Sequence, residues 1–201
     1  MEYNLPSEIV KEINFGEKAQ NKIVAGVEKL AKAVKSTLGA SGKCVIYEDA
    51  RGKPVITKDG VTVAESVVLY DPVENIGATL IKEAAKNTVK EAGDGTTTAT
   101  ILAEALLKHV YSNKTEDTSI REIKEGLNSG LEKINDYLKS ISIEVEGDML
   151  KDVGSISCNN DAILGDIIAQ AYEKAGKDSV VLMESSETDE TYVKLVDGVQ
   201  L

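Results

Sequence analysis

The sequence predicts a mainly α-helical fold with small β elements, in the α+β class. Apolar residues recur at spacings of three and four over several long segments, which is the period of a helix with one buried face. One short segment, near residues 44–57, is rich in β-branched residues on both sides of a turn and predicts a hairpin. Aromatic residues make up only 4% of the chain, so we expect an aliphatic core.

The elements follow in order along the chain. A first helix is predicted from Lys18 to Thr37, ending before Gly39. The hairpin comes next, and a tight turn at residues 58–60 follows it. A long helix starts with Asp71 as N-cap and Pro72 at its first position, and continues to Ala92.

The rest of the chain contains further helices. One opens at Thr96, after the break at residues 93–95, and the clearest of all covers residues 120–141. Two shorter helices are predicted near residues 150–156 and 163–176. Residues 180–182 and 192–196 are predicted as strands, separated by an acidic turn at residues 184–190.

The helix at residues 120–141 has a continuous apolar stripe. Such a stripe predicts packing into a core, and a surface for a partner helix is the alternative. Its members are Ile120, Ile123, Leu127, Leu131, Ile134, Leu138 and Ile141.

Charge and composition exclude several classes of function. The 201 residues contain 34 Asp and Glu against 23 Lys and Arg, a net charge of -11, so nucleic acids and anionic membranes are not expected as electrostatic partners. Two cysteines and one histidine are too few for a CxxC or HExxH zinc site, and His109 lacks the partners of a catalytic triad. The chain has no basic, apolar leader and no apolar run of about 20 residues, which predicts a cytoplasmic protein.

The segment at residues 93–98 combines features of a phosphate site. Its glycines allow a ligand to approach the backbone, a helix N-terminus presents unpaired N–H groups, and three threonines add hydroxyl donors. Asp94 lies where a carboxylate could hold Mg²⁺ against phosphate oxygens. The alternative is a glycine-terminated helix followed by a threonine-capped one.

Two other loops are less specific when taken alone. Residues 37–43 follow a helix and resemble a phosphate loop, but a Walker A sequence would need Gly at Thr37 and Ser or Thr at Cys44. Residues 57–60 place a lysine, a carboxylate and a glycine together after a strand. Each loop by itself is consistent with a simple turn.

The three loops together resemble the group I chaperonins, the bacterial GroEL type. The segments are STLGASGK at 36–43, ITKDGVTVA at 56–64 and AGDGTTTATILAEALL at 92–107, in the order and separation of that family's nucleotide site. The sequence TKDG, where group II chaperonins have TNDG, favours group I. The resemblance extends from about Lys11 to Leu201.

The resemblance implies a role for individual residues, with ATP and Mg²⁺ as cofactors. Asp94 corresponds to the Mg²⁺ ligand, and Asp59 to a catalytic carboxylate near the γ-phosphate that supports hydrolysis. The loop at residues 37–40 corresponds to the part that packs on the nucleotide, and Lys58 lies near its phosphates. The full set of ATP-binding residues implied is Thr37, Leu38, Gly39, Ala40, Lys58, Gly60, Asp94, Gly95, Thr96, Thr97 and Thr98.

The resemblance also implies a domain organisation. Residues 1–141 correspond to the N-terminal half of an equatorial-like ATP-binding domain, residues 142–198 to the ascending segment of an intermediate-like α/β domain, and residues 199–201 to the start of a truncated apical domain. Hinges are expected at Glu144, where the family commonly has proline, and at Gly198.

The function implied is that of an ATP-dependent protein-folding chaperonin subunit. Its parent would be a ring homo-oligomer that contacts unfolded polypeptide and a co-chaperonin through the apical domain, while this fragment alone would hydrolyse ATP poorly or not at all. The alternative is a short, non-catalytic interaction module that pairs with intact chaperonin subunits and modulates ring assembly.

Overall fold

A computed structural model of the chain describes residues 13–39, 41–115, 117–158, 160–176, 179–196 and 198. In these ranges the fold is mostly helical with one two-stranded sheet, which confirms the predicted fold class. The helices are α1 (Gly16–Lys35), α2 (Gly60–Ser66), α3 (Pro72–Ala92), α4 (Thr96–Asn113), α5 (Ile120–Ile141), α6 (Met149–Ser157) and α7 (Ala162–Ala175). The strands are β1 (Val45–Glu48) and β2 (Pro54–Thr57).

The chain forms two compact units, Met1–Glu125 and Gly126–Leu201. The first unit contains α1 to α4 and the hairpin, in which β1 and β2 pair antiparallel with Val45 opposite Thr57. Among the described residues, no helix combines the length and the apolar character needed to cross a membrane.

The core of the first unit is aliphatic, as the composition predicts. It forms where α1 packs against α3 and α4, with α2 beside them. Two glycines make the contact between α1 and α3 unusually close: a Cβ at Gly26 would lie 1.8 Å from the Glu74 carbonyl oxygen, and one at Gly77 would lie 2.1 Å from that of Ile23. The buried residues of this core are Val27, Leu30, Val34, Val63, Ala64, Ala78 and Ile81.

Helix starts agree with the sequence at α3 and differ at α2. Asp71 caps α3 by accepting hydrogen bonds from the N–H groups of Val73 and Glu74, and Pro72 is the first helical residue, as predicted. The turn predicted at residues 58–60 is instead the beginning of α2, with Asp59 as its N-cap. Seven residues are too short for the apolar period to identify a helix from the sequence.

In the second unit, α6 packs against α7 through small residues. A Cβ at Gly154 would lie 3.0 Å from the Gly165 carbonyl oxygen, so the two helix backbones approach closely. Lys151 Nζ and Asp166 Oδ1, 2.8 Å apart, form an ion pair between the same two helices. This ion pair lowers the pKa of Asp166, because the Lys151 ammonium favours the ionised carboxyl.

The apolar stripe of α5 is exposed, contrary to the expected core packing. None of the residues of α5 is buried in the described structure, and Leu131 and Ile134 are 55% and 57% exposed. The helix itself has the predicted bounds. The amphipathic pattern therefore predicts the helix correctly but does not identify what covers its apolar face.

The two strands predicted near the end of the chain are wrong for the described residues. Residues 180–182 and 192–196 have no strand pairing. A strand is stabilised by hydrogen bonds to a neighbouring strand, and alternation of side chains does not supply that neighbour. The acidic segment between them is exposed, as a solvated turn requires.

Candidate functional site

The starts of α2 and α4 and the end of α1 meet at Gly60. A Cβ built on this buried glycine would lie 2.2 Å from Thr97 Oγ1 and 3.6 Å from Val34 Cγ1. Gly60 begins α2, Thr97 lies in the first turn of α4, and Val34 lies in the last turn of α1. The fold therefore brings the second and third marked segments together, and it places the end of α1, from which the first marked segment continues, beside them.

The first loop turns back immediately after α1. Thr37 Oγ1 donates to the Val34 carbonyl oxygen at 2.8 Å, and the Lys43 N–H donates to the Ser36 carbonyl oxygen at 2.8 Å. Gly39 has a φ of +73°, which glycine adopts without strain. Leu38 is 48% exposed and so is accessible to a ligand. Ala40, the remaining predicted residue of this loop, lies outside the described residues.

The second loop holds the Asp59 carboxylate in place. Asp59 Oδ1 accepts from the Val61 N–H at 3.2 Å, and Oδ2 accepts from the Thr62 N–H at 2.8 Å and from Thr62 Oγ1 at 2.6 Å. Partial burial raises the pKa of Asp59, but these hydrogen bonds together outweigh it and hold the pKa below its ordinary value of 3.8. Asp59 is therefore ionised at neutral pH. Lys58, beside it, is exposed.

The third loop leaves the N-terminus of α4 open. Gly93 ends α3 in the left-handed conformation, and Gly95, with a φ of 97°, is the N-cap of α4. Within the described residues no side-chain hydrogen bond caps α4, whereas aspartates cap α2, α3 and α7. Because the first N–H groups of a helix lack partners within it, those of α4 are free to bind an anion.

A buried hydroxyl at this helix start has no partner. Thr96 is only 6% exposed, and its Oγ1 makes no hydrogen bond within the described residues. Thr96 also lines a cavity of about 320 Å³, whose other lining residues belong to α2 and α3 and include no other predicted ATP-binding residue. A buried hydroxyl without a partner is costly, and a phosphate oxygen would supply one. Thr97 is half-buried and Thr98 is exposed at the same end of the helix.

Asp94 has the chemistry needed for a magnesium ligand. It is exposed, and the hydrogen bond it accepts in the described structure comes from the Gly95 N–H to Oδ1 at 2.6 Å. No group of three or more His, Cys, Asp or Glu side chains is clustered in the described ranges. A single exposed carboxylate is compatible with Mg²⁺, because Mg²⁺ usually takes one or two carboxylates together with phosphate oxygens of a substrate.

The predicted hinge residues lie in the second unit and are described apart from these loops. Glu144 is exposed, and Gly198 has a φ of +107°, a backbone conformation that residues with side chains rarely adopt.

Thr62, whose hydroxyl contacts Asp59, is not among the site residues predicted from the sequence. The signal was its spacing, since a residue three positions after an aspartate N-cap can reach the cap carboxylate.

Comparison with known proteins identifies a family for this chain. Residues 30–201 match the model of the TCP-1/cpn60 chaperonin family. Among solved structures, the chain is similar to the chaperonin gp146 from the bacteriophage EL 2 (Pseudomonas aeruginosa), crystallised in the presence of ATP-BeFx, with 30% identity and a TM-score of 0.67. It is also similar to a group III chaperonin in the open state, with 26% identity and a TM-score of 0.67.

The similarity covers most of this chain and a minor part of each relative. The alignment with the phage chaperonin covers 79% of this chain and 28% of that protein, and the alignment with the group III chaperonin covers 78% and 32%. The chain therefore spans about a third or less of the length of these relatives.

Proposed function

The chain belongs to the TCP-1/cpn60 chaperonin family, and we propose that its three loops bind Mg-ATP as part of a group I chaperonin subunit. The observation that supports this proposal is the contact at Gly60, because the start of α2 lies against Thr97 in the first turn of α4 and against Val34, three residues before the loop at residues 37–40. The TKDG segment supports the group I assignment within the family.

One group of residues would contact the phosphates of ATP, and another would contact the rest of the nucleotide. Gly95, Thr96, Thr97 and Thr98 offer backbone N–H groups and hydroxyls to phosphate oxygens, and Lys58 adds a positive charge. Residues 37–40 pack on the rest of the nucleotide. Asp94 would hold Mg²⁺, which would neutralise charge on the phosphates. Asp59, kept ionised by its hydrogen bonds, is the candidate catalytic carboxylate.

The wider role follows from membership of the family. We propose that residues 1–141 are the N-terminal half of an equatorial-like domain, that residues 142–198 are the ascending part of an intermediate-like domain, and that residues 199–201 begin an apical domain. Nucleotide binding would bias hinges at Glu144 and Gly198 in a cytoplasmic ring that binds and releases unfolded polypeptide, with a co-chaperonin acting at the apical domain.

Calorimetric titration with ATP tests the site. We expect binding that depends on Mg²⁺ in the unaltered protein and that is weakened about tenfold or more in Asp94→Ala, because a magnesium ligand is lost. Asp117→Ala, which removes an exposed carboxyl from another part of the same unit, is the matched control and should bind normally. Equal Mg²⁺-dependent affinity in Asp94→Ala and in the unaltered protein would contradict the assignment of Asp94.

The exposed stripe of α5 favours a second candidate function. A helix with this pattern and no buried residue in the described structure offers an apolar surface to another protein. The chain would then act as a non-catalytic module that pairs with intact chaperonin subunits and modulates ring assembly. Co-sedimentation with intact rings is the expected result, and recovery of the chain only in the unbound fraction would rule this function out.

A further inference from the structure

The Asp59 carboxylate is held differently from the two other aspartates that cap helices through their side chains. At Asp71 the Val73 and Glu74 N–H groups both donate to Oδ1, at 2.9 and 3.1 Å. The cap of α7 has the same arrangement: the N–H groups of residues 163 and 164 both donate to Oδ1 of Asp161, at 2.9 and 3.0 Å. One carboxylate oxygen is sufficient for capping in both cases.

Asp59 uses both oxygens, and the reason is the side chain of Thr62. Position 62 is the third residue of α2, and its counterparts are Glu74 in α3 and Leu164 in α7, which have no hydroxyl group. Thr62 donates to Asp59 Oδ2 through both its N–H, at 2.8 Å, and its Oγ1, at 2.6 Å. The hydroxyl contact has the length typical of a hydrogen bond to an ionised acceptor.

These contacts fix the plane of the carboxylate. Rotation of the Asp59 carboxylate out of its present plane would lengthen both hydrogen bonds from Thr62. The backbone before it is also held, because the Asp59 N–H donates to Thr57 Oγ1 at 3.0 Å. Oδ1 accepts only one hydrogen bond in the described structure, at 3.2 Å, so it retains acceptor capacity.

We propose that Thr62 is a positioning residue, whose hydroxyl fixes the Asp59 carboxylate in the orientation that supports ATP hydrolysis. This inference rests on the proposed function. Capping of α2 does not require the hydroxyl, since α3 and α7 are capped without one. Thr62 acts through Asp59, so its effect should appear in turnover more than in nucleotide binding.

The test compares variants of the full-length protein by steady-state ATPase kinetics. Thr62→Val keeps the shape of the side chain and removes the hydroxyl, and we expect kcat to fall about tenfold while KM stays within about twofold. Thr62→Ser restores the hydroxyl and should recover kcat. Thr79→Val is the matched control, because it removes a hydroxyl that bonds only the Asn75 carbonyl oxygen in exposed α3 surface.

A double mutant shows whether Thr62 acts through Asp59. In the background of Asp59→Asn, Thr62→Val should cause no further loss of kcat, because the carboxylate that it positions is gone. Melting temperatures of all variants identify any that fail to fold. If Thr62→Val fails to fold, Thr62→Ala replaces it.

The outcomes separate this inference from the proposed function. A normal kcat in Thr62→Val, equal losses in Thr62→Ser and Thr62→Val, or an additive loss in the double mutant would each overturn the positioning role. Absence of Mg²⁺-dependent ATP binding in the unaltered protein would instead contradict the proposed function itself.

Discussion

Gly60 is the residue on which the site depends most directly. Its Cα lies so close to Thr97 that a Cβ would be 2.2 Å from the threonine hydroxyl oxygen. Any side chain at this position would therefore force the Thr97 hydroxyl to move. The motif shows that a glycine is present, but the sequence alone does not show what approaches it, because Thr97 is 37 residues further along the chain.

We predict that Gly60→Ala destabilises the protein by about 1–3 kcal/mol, the usual cost of forcing atoms into a packed contact. Nucleotide binding should weaken in the same variant. Gly126→Ala is the control: nothing lies within 4 Å of its Cβ position in α5, and alanine in a helix interior should add about 0.5–1 kcal/mol. Urea unfolding measures both changes, and equal stability of the two variants would contradict the close contact.

The ionisation of Asp59 gives a prediction for acid pH. Its pKa is lower in the folded protein than the ordinary 3.8, so it stabilises the fold fully above pH 3.8, and this contribution is lost as the pH falls through the lowered pKa. Asp59→Asn still caps α2 but does not titrate. The stability advantage of the unaltered protein over Asp59→Asn should therefore shrink on acidification, and an advantage that grows would show that the pKa is raised.

At the scale of elements, local signals in the sequence predict helices well and their partners poorly. Asp71 and Pro72 identify the start of α3, and the glycines at 93 and 95 identify the break before α4, because caps and breaks depend on a few adjacent residues. The short helix α2 is not predicted, and the strands expected at residues 180–182 and 192–196 do not form. Both depend on contacts with segments distant in sequence.

Substitutions in helix α5 test whether its apolar stripe is buried. In the 201-residue chain, Leu131→Ala should change the free energy of unfolding by no more than about 0.5 kcal/mol, because Leu131 is 55% exposed. Leu30→Ala, which empties a fully buried site in α1, should cost about 2–5 kcal/mol. Chemical denaturation followed by circular dichroism compares the two, and a similar cost for Leu131→Ala would mean that α5 is buried.

At the scale of the whole molecule, the net charge of -11 argues against nucleic acids and anionic membranes as electrostatic partners. The same net charge gives no indication of the proposed ligand, ATP. A phosphate group is bound by a few N–H groups and hydroxyls at one helix end, so a strongly acidic protein can still contain a local anion site. The three motifs predict the proposed site by their resemblance to a family. The contact of Thr97 and Val34 with Gly60 is a property of the fold that neither composition nor periodicity contains.

The central claim is that the three loops form one nucleotide site, and amide hydrogen exchange tests it most directly. Exchange is measured in the full-length protein as Mg-ATP is titrated. We predict that protection increases at residues 37–39, 58–60 and 95–98 together, over the same range of nucleotide concentration, because one ligand contacts all three. Protection confined to one of these segments, or absent from all of them at saturating Mg-ATP, would contradict the claim.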